Sequence, residues 1–487
     1  MAVRDYVTLH INGRPVQARG DDALLPLSEF LRRKLGLTGT KIVCAEGDCG
    51  SCAVLLGRPA RALAGNGKPH MTYRAICSCI ATVLQADSSH VVTIEGLSDP
   101  GTLNTVQDAM VRCQGTQCGF CTPGFVVALC DLLDRNRSCT AHDVRRGLVG
   151  NLCRCTGYDS IIQAAMQTDR DALVPLDERY PAPALVPSLG ATANDDIRID
   201  GSRLAMKAST LSQALRWRAE HPESAIIAGT TDLGVVWNKR GNNASTVLCI
   251  SGVPELSEIE LTDDAILVGG AAAMTDFEQI AKEHHPEFAT FLEWFGSPLI
   301  RNGGTMAGNI CTGSPIGDTI PALMVLDASL ELVSERGVRV VPINAFYTGY
   351  RQTVMQPDEL LGRIIIPRLK PDETLRLYKV SRRKDLDIST FGAAFWMRRH
   401  GDVIDDVRIA FGAVAPTVIR MPQIEDMLRG QSPTLELFQS AADLVADIVQ
   451  PISDVRGSAE YRRQLAGNAM LRFYHDVFAS EETCPQD

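Results

Sequence analysis

Thr38-Gly-Thr-Lys-Ile-Val-Cys44-Ala-Glu-Gly-Asp-Cys49-Gly-Ser-Cys52 decides how this chain reads. Its three cysteines, spaced x4 and then x2, have the wrong spacing for disulfides and the spacing of a plant-type ferredoxin loop. Gly47 and Gly50 lie between them, permit positive φ and leave no Cβ in the way of a chain wrapping iron and sulfide closely. A remote fourth thiolate is required, and spacing alone leaves it open between Cys77 and Cys79. Buried thiols or a zinc site are the competing reading, disfavoured because x4/x2 is unusual for zinc.

Upstream, Val7 to Gln17 forms two alternating runs joined at Asn12-Gly13, a hairpin signal. Ser28 then opens a short helix over Glu29–Leu35, closed by Gly36. With a last strand over Val91–Ile94, the pattern predicts a small mixed sheet gripping one helix.

Downstream, from Thr105 to Gln167, the periodicity turns helical, with helices predicted from Thr105, Pro123, Thr140 and Asp159. A second thiol set sits at their junctions: Gln117-Cys118-Gly-Phe-Cys121-Thr-Pro-Gly and Gly150-Asn-Leu-Cys153-Arg-Cys155-Thr-Gly-Tyr158. Each pair precedes a helix, whose free N–H groups and positive dipole end suit a negatively charged cluster. Taken alone, CxxC with CxC equally describes a four-thiolate zinc site. Beside the first set, a second 2Fe–2S cluster is the better reading. Cys113, Cys130 and Cys139 lack partners at ligand spacing and read as structural.

The stretch 171–196 carries Pro175, Pro181, Pro183 and Pro187 without a clear period and reads as a linker. Beyond it only Cys249, Cys311 and Cys484 remain of fifteen cysteines. Val/Ile-rich strands at Ala225, Ala265 and Arg363 alternate there with helices and glycine-rich turns, an α+β pattern. Two loops could hold a phosphate-bearing cofactor: Ile227-Ala-Gly-Thr-Thr-Asp232, and Arg301 to Gly308-Asn309 followed by Thr312-Gly-Ser314-Pro-Ile-Gly-Asp318. No G-x-G-x-x-G opens a helix after a strand, so a Rossmann site is not indicated. Composition alone favours plain tight turns at both loops.

Bulk properties bound the answer. At 487 residues, more than one hydrophobic core is required. Hydrophobic content of 45% with 22% charged residues is ordinary for a globular chain, and a net charge of −10 argues against nucleic acid or an anionic membrane as partner. Without a signal pattern at Met1–His10 or a long apolar run, the expected location is cytoplasmic, where cysteines stay reduced.

The cysteine motifs resemble those of the molybdenum hydroxylases, and the later half resembles their flavoprotein through Ala228-Gly-x-Thr-Asp-Leu, Gly308-Asn309 to Asp318, Tyr378-Lys-x-Ser-x-Arg383, Asp387-Ile-Ser389 and Pro451 to Ser458. The resemblance spans nearly the whole chain. It implies a multidomain α+β architecture: a plant-type ferredoxin (β-grasp) domain over 1–95, an all-α 2Fe–2S domain over 96–170, the linker 171–196, a two-lobed non-Rossmann FAD-binding domain over 197–370 and a small C-terminal α/β domain over 371–487. It implies Cys44, Cys49, Cys52 and Cys79 as ligands of one cluster, counting back from Glu95-Gly96, and Cys118, Cys121, Cys153 and Cys155 as ligands of the other. Ile227, Ala228, Gly229, Thr230, Thr231 and Asp232 would meet the FAD pyrophosphate and ribityl region. Phe295 would lie against the ring, Ala307, Gly308, Asn309, Thr312, Ser314 and Asp318 would follow the dinucleotide, and Leu361 and Lys379 would border the isoalloxazine. Gln117 matches a residue that in the family touches the pterin of a partner subunit. Thr230 and Ala307 depart from the family's usual glycines.

Clusters and flavin on one chain, with no molybdopterin portion following, is the small-subunit arrangement of the bacterial members that oxidise hypoxanthine and xanthine to urate. In carbon monoxide-oxidising and many aldehyde- or aromatic-oxidising relatives the two portions are separate chains. The expected function is electron transfer from molybdenum on a molybdopterin-binding large subunit, through both clusters to FAD and then NAD, in a dimer of heterodimers. No catalytic acid or base is expected on this chain. The alternatives are the equivalent subunit of an aldehyde- or N-heterocycle-oxidising enzyme and, in a different class, a non-enzymatic electron carrier or zinc scaffold.

Overall fold

A computed structural model describes residues 3–60, 69–241 and 243–478. The chain divides into two compact units, residues 1–255 with 296–304, and residues 256–295 with 305–487.

In the first unit, the Asn12-Gly13 hairpin forms as read: Tyr6–Ile11 pairs antiparallel with Arg14–Arg19, and Asn12 and Gly13 both take positive φ. The sheet runs Arg14–Arg19, Tyr6–Ile11, His90–Val92, Ala53–Pro59, Met71–Cys77. Val7, Leu9 and Ile11 alternate inward and meet Leu27, Phe30 and Leu31 of the gripped helix. That helix starts at Leu27, before the expected residue, and widens into a π turn over Phe30–Lys34. The expected strand at Val91–Ile94 stops at Val92, where Ile94–Gly96 tightens into a 3₁₀ turn.

Four helices follow, Thr105–Arg112, Thr122–Arg135, Ala141–Gly147 and Asp159–Met166. Capping boxes at Asn104–Gln107 and Thr140–Asp143 fix two of their starts, each satisfying two otherwise unpaired N–H groups. Val127, Leu129 and Leu133 of the second helix are fully buried.

The proline-rich stretch read as a linker is folded instead. It forms the helices Leu176–Arg179 and Ala182–Gly190, with Leu176, Leu185 and Leu189 buried in the core shared with the preceding helices. Pro183 occupies a first-turn position, where a missing N–H costs nothing, and Leu185 with Leu189 supplies the i,i+4 apolar face the prolines obscured. Beyond it a five-stranded sheet runs Val3–Arg4, Asp196–Asp200, Leu204–Lys207, Thr246–Cys249, Ala225–Ile227. The N-terminal Val3–Arg4 thus joins a sheet whose other strands lie nearly two hundred residues later, and Arg4 pins it through a bidentate pair with buried Asp87 at 3.0 and 3.1 Å.

The second unit contains an antiparallel sheet ordered Ile259–Leu261, Ala265–Gly269, Leu360–Pro367, Ser329–Ser334, Gly337–Pro342. Its helices include Met274–His284, Met306–Thr312 and Thr319–Val325. A second sheet, Glu373–Val380, Phe391–His400, Val403–Gly412 and Ile419–Arg420, buries Phe391, Phe395 and Phe411 against the helices Leu435–Ile448 and Ala459–Val477. Among the described residues no helix is long and apolar enough to cross a membrane.

Candidate functional site

The first cysteine loop closes because three of its residues accept left-handed backbone: Ala45 at φ 54°, Gly47 at 81° and Gly50 at 65°. This turns the chain around Cys44, Cys49 and Cys52 and brings them against Cys77 and Cys79, which end and follow the strand Met71–Cys77. The sulfurs meet in pairs. Cys44 is in hydrogen-bond contact with Cys49 and Cys79, and Cys52 with Cys77 and Cys79. Cys79 therefore touches both ends of the loop, whereas the Cys77 thiol also donates to the Gly47 carbonyl at 3.3 Å. Accepting from Cys49 and Cys79 holds the Cys44 thiol far below its ordinary value, and accepting from Cys77 and Cys79 does the same for Cys52. Those donors shift upward, first through the shared hydrogen bonds and then through burial. Thiols crowded in so little water cannot all ionise unless a cation lies among them. That donor chemistry fits an iron–sulfur cluster. Among the described residues no three cysteine, histidine or acidic side chains surround a single ion position.

In the second set Cys121 caps the helix Thr122–Arg135, while Cys153 and Cys155 precede the helix Asp159–Met166. Gly157 and Tyr158 both take positive φ, and the Tyr158 hydroxyl accepts from the Cys153 N–H at 3.1 Å. Cys155 lies 3.6 Å from Cys118, and Cys121 is in hydrogen-bond contact with Cys153, so the two motifs do converge. Burial pushes the Cys121 thiol up to about 12. Burial also opposes ionisation of Cys153, but the Thr156 hydroxyl at 3.1 Å and N–H at 3.4 Å, with the Cys155 N–H, pull it below its ordinary value.

The two loops touch through backbone. The Leu152 N–H donates to the Cys49 carbonyl at 3.0 Å, and a Cβ on Gly124 would stand 2.2 Å from the Gly50 oxygen.

Of the residues expected at flavin, Ile227 to Asp232 lie in the first unit. Ile227 ends its strand and is buried. Gly229 approaches Gly303 so closely that a Cβ would fall 1.9 Å from that carbonyl oxygen. Thr230, where glycine was expected, sits at φ 54°, the left-handed backbone that glycine adopts freely. Its hydroxyl donates to Gln85, whose amide donates to the Ala228 carbonyl at 2.7 Å. Thr231 and Asp232 lead into the helix Leu233–Arg240, which opens without a side-chain cap. The Gly234 N–H donates to the Thr230 carbonyl at 2.7 Å and the Val236 N–H to the Asp232 carbonyl at 3.1 Å, so the loop turns into the helix through its own backbone, at the kind of loop-to-helix start that suits a pyrophosphate.

The remaining flavin candidates lie in the second unit. Ala307, Gly308, Asn309 and Thr312 share the helix Met306–Thr312, ended by Gly313 at φ 61°. Asn309 accepts from the Thr319 hydroxyl at 2.7 Å, Thr312 donates to the Gly308 carbonyl at 2.9 Å, and Ser314 accepts from the Ile316 N–H at 3.4 Å. Ala307 and Leu361 are buried in the core, with Phe295 half-buried against it. Asp318 receives the Lys379 ammonium at 2.7 Å on one oxygen and the Ser389 hydroxyl on the other, and Lys379 also reaches the Trp294 carbonyl at 3.0 Å. Ser389, Gln85 and the residues around Cys79 that follow were not singled out as site residues. A glutamine 143 residues before the glycine loop it bonds carries no local signal.

Four family descriptions match along the chain: a 2Fe–2S iron–sulfur cluster binding domain at residues 9–84, a [2Fe–2S] binding domain at 93–166, an FAD binding domain in molybdopterin dehydrogenase at 199–369, and a CO dehydrogenase flavoprotein C-terminal domain at 376–477. The chain is the iron–sulfur and FAD portion of a molybdenum hydroxylase, of the xanthine dehydrogenase and carbon monoxide dehydrogenase family. It is similar to the xanthine dehydrogenase/oxidase of Rattus norvegicus, 29% identical over 525 residues that cover 97% of this chain and 39% of that protein. The chain thus spans well under half the length of that relative. Carbon monoxide dehydrogenase from Hydrogenophaga pseudoflava is 27% identical, with a TM-score of 0.53 over 55% of this chain and 94% of the other. Quinoline 2-oxidoreductase from Pseudomonas putida 86 is 25% identical, with a TM-score of 0.53 over 57% of this chain and 97% of the other.

Proposed function

We propose that this chain is the electron-transfer subunit of a xanthine dehydrogenase, working beside a molybdopterin-binding large subunit in a dimer of heterodimers. When bound, two one-electron clusters and a two-electron flavin would carry electrons from hypoxanthine or xanthine oxidation at molybdenum to NAD. The carrying observation is the pairing of two converged four-cysteine sets with an FAD-binding domain on a chain alike over 97% of its length to a xanthine dehydrogenase/oxidase.

Cys44, Cys49, Cys52 and Cys79 would hold the first cluster. Cys79 is preferred to Cys77 because its sulfur meets both ends of the loop, while Cys77 is turned to the Gly47 carbonyl. Cys118, Cys121, Cys153 and Cys155 would hold the second. The Glu46 N–H donates to the Cys44 sulfur of the first set, and the Cys155 and Thr156 N–H groups donate to the Cys153 sulfur of the second, each at 3.4 Å. Such bonds stabilise charge on sulfur and set potential. The N–H groups of the Ala228–Asp232 loop would receive the pyrophosphate of FAD, and Asp318 would hold Lys379 in place at the isoalloxazine. No side chain here is assigned a catalytic proton transfer. The second cluster would face the partner, since Gln117, Cys118 and Cys155 lie exposed.

Anaerobic addition of NADH to the purified chain, followed by visible absorption and low-temperature EPR, tests the reading. Flavin bleaching with two distinct reduced-cluster signals is expected. Silence toward NADH, with both centres reducible by dithionite, would reject NAD as acceptor and favour a relative that oxidises an aldehyde or N-heterocycle. Absence of iron and sulfide would reject the electron-transfer reading altogether.

A further inference from the structure

The helix Leu233–Arg240 begins at the loop assigned to FAD and ends on the loops assigned to the first cluster. Leu233 and Trp237, one turn apart, pack against the ferredoxin core, and Gly234 lies so close to Ile80 that a Cβ would meet its carbonyl at 2.4 Å. Four residues on, the Asn238 amide donates to two carbonyls at once, Ala45 at 3.0 Å and Cys79 at 2.8 Å. Lys239 donates to the Cys44 carbonyl at 2.9 Å and pairs with Glu46 at 2.5 Å. Two adjacent side chains thus hold both separated segments of the first ligand set by their backbone oxygens. In the second set, Thr156 and Tyr158, close neighbours of the ligands in sequence, bond Cys153.

We propose that Asn238 and Lys239, at the end of the helix Leu233–Arg240, are positioning residues that set the reduction potential of the first cluster. The inference rests on the ligand assignment given above. A carbonyl engaged by an amide or ammonium turns less of its negative end toward nearby charge. Lys239 also brings a positive charge beside the Cys44 segment. Both effects favour the reduced cluster, which carries one more negative charge than the oxidised form. Hydrogen bonding, net charge and exposure are the levers by which proteins move these potentials.

The test is a redox titration of the full cofactor-loaded chain, following both cluster signals by low-temperature EPR. Cys79→Ser identifies the first-cluster signal by its loss. At the wild-type midpoint, Lys239→Gln is expected to raise the oxidised-to-reduced ratio of the first cluster about threefold, a size suited to one partly solvated charge. Asn238→Ala is expected to move it in the same direction, and Lys239→Arg to restore the wild-type ratio. The second-cluster signal and the iron and FAD contents are expected to stay unchanged. An unmoved first cluster in both Asn238→Ala and Lys239→Gln overturns the proposal. Equal movement of both clusters also overturns it, because general loosening would act on both. A wild-type chain lacking two reduced-cluster signals would instead overturn the ligand assignment, and this inference with it.

Discussion

Cys49, Cys52, Cys77 and Cys79 are at most 9% exposed, whereas Cys118 and Cys155 lie open at the surface. The first set sits where a sheet edge, a left-handed loop and the helix Leu233–Arg240 meet, with Asn238 and Lys239 engaging its carbonyls. The second rests on two helix starts, and Phe120, Leu152 and Tyr158 around it are 49%, 40% and 37% exposed. Similar chemistry has been given opposite environments. A buried set is governed by fixed dipoles of its own chain. An exposed one, rimmed with apolar surface, is open to whatever docks there. The difference suits a relay in which the inner site is tuned and the outer site is approached.

The largest way to break this comparison is to delete one site at a time. Cys153→Ser is expected to lower iron from about four to about two atoms per chain, with FAD and the first-cluster spectrum retained. Loss of every cofactor would show that the two loops, joined by the Leu152 N–H and Cys49 carbonyl, fold only together. Within the buried site, Cys79→Ser is expected to abolish the first cluster while Cys77→Ser leaves the iron content unchanged. Equal iron loss from both would reverse the preference drawn from their contacts.

A smaller effect, in stability, concerns how the inner region is anchored. Asp87 is 1% exposed at its side chain; burial opposes its charge, but Lys207 and Arg4 together hold its carboxyl below the ordinary value. A depressed folded value means that Asp87 contributes stability at neutral pH and loses it as pH falls below about 4. Asp87→Asn is expected to cost about 3 kcal/mol at pH 7, because Lys207 would lose its carboxylate and Arg4 would keep only Asp195 at 3.4 Å, and to flatten the acid limb of the melting-temperature profile. Thermal melts across pH check both. Smaller again, Gly124→Ala is expected to cost about 1–3 kcal/mol, since its Cβ collides with the Gly50 carbonyl where the two regions abut. An unchanged melting temperature would mean that this backbone contact is slack.

Legibility followed the range of each interaction. The Asn12-Gly13 hairpin, the capping boxes at Asn104 and Thr140 and the positive φ at Gly47 and Gly50 are local, and their residues announce them. The helix Ala182–Gly190 was obscured because prolines hide an i,i+4 leucine pair when burial is not known. Gln85 was invisible for another reason: its role exists only because Ala228 and Thr230 arrive from far along the chain.

The sequence by itself determined the chemistry of the first thiol set, since thiol spacing and glycine placement limit what a short loop can wrap, while the flavin entered only through the family resemblance. It left Cys77 and Cys79 equivalent in kind, and the resemblance separated them only by counting residues. Tertiary structure decided which sulfur meets both ends of the loop, which site is enclosed and which exposed, and that Asn238 and Lys239 reach the first one. Those outcomes depend on contacts between segments up to nearly two hundred residues apart, whose free energies are paid in chain entropy and burial and leave no periodic trace in the residues themselves.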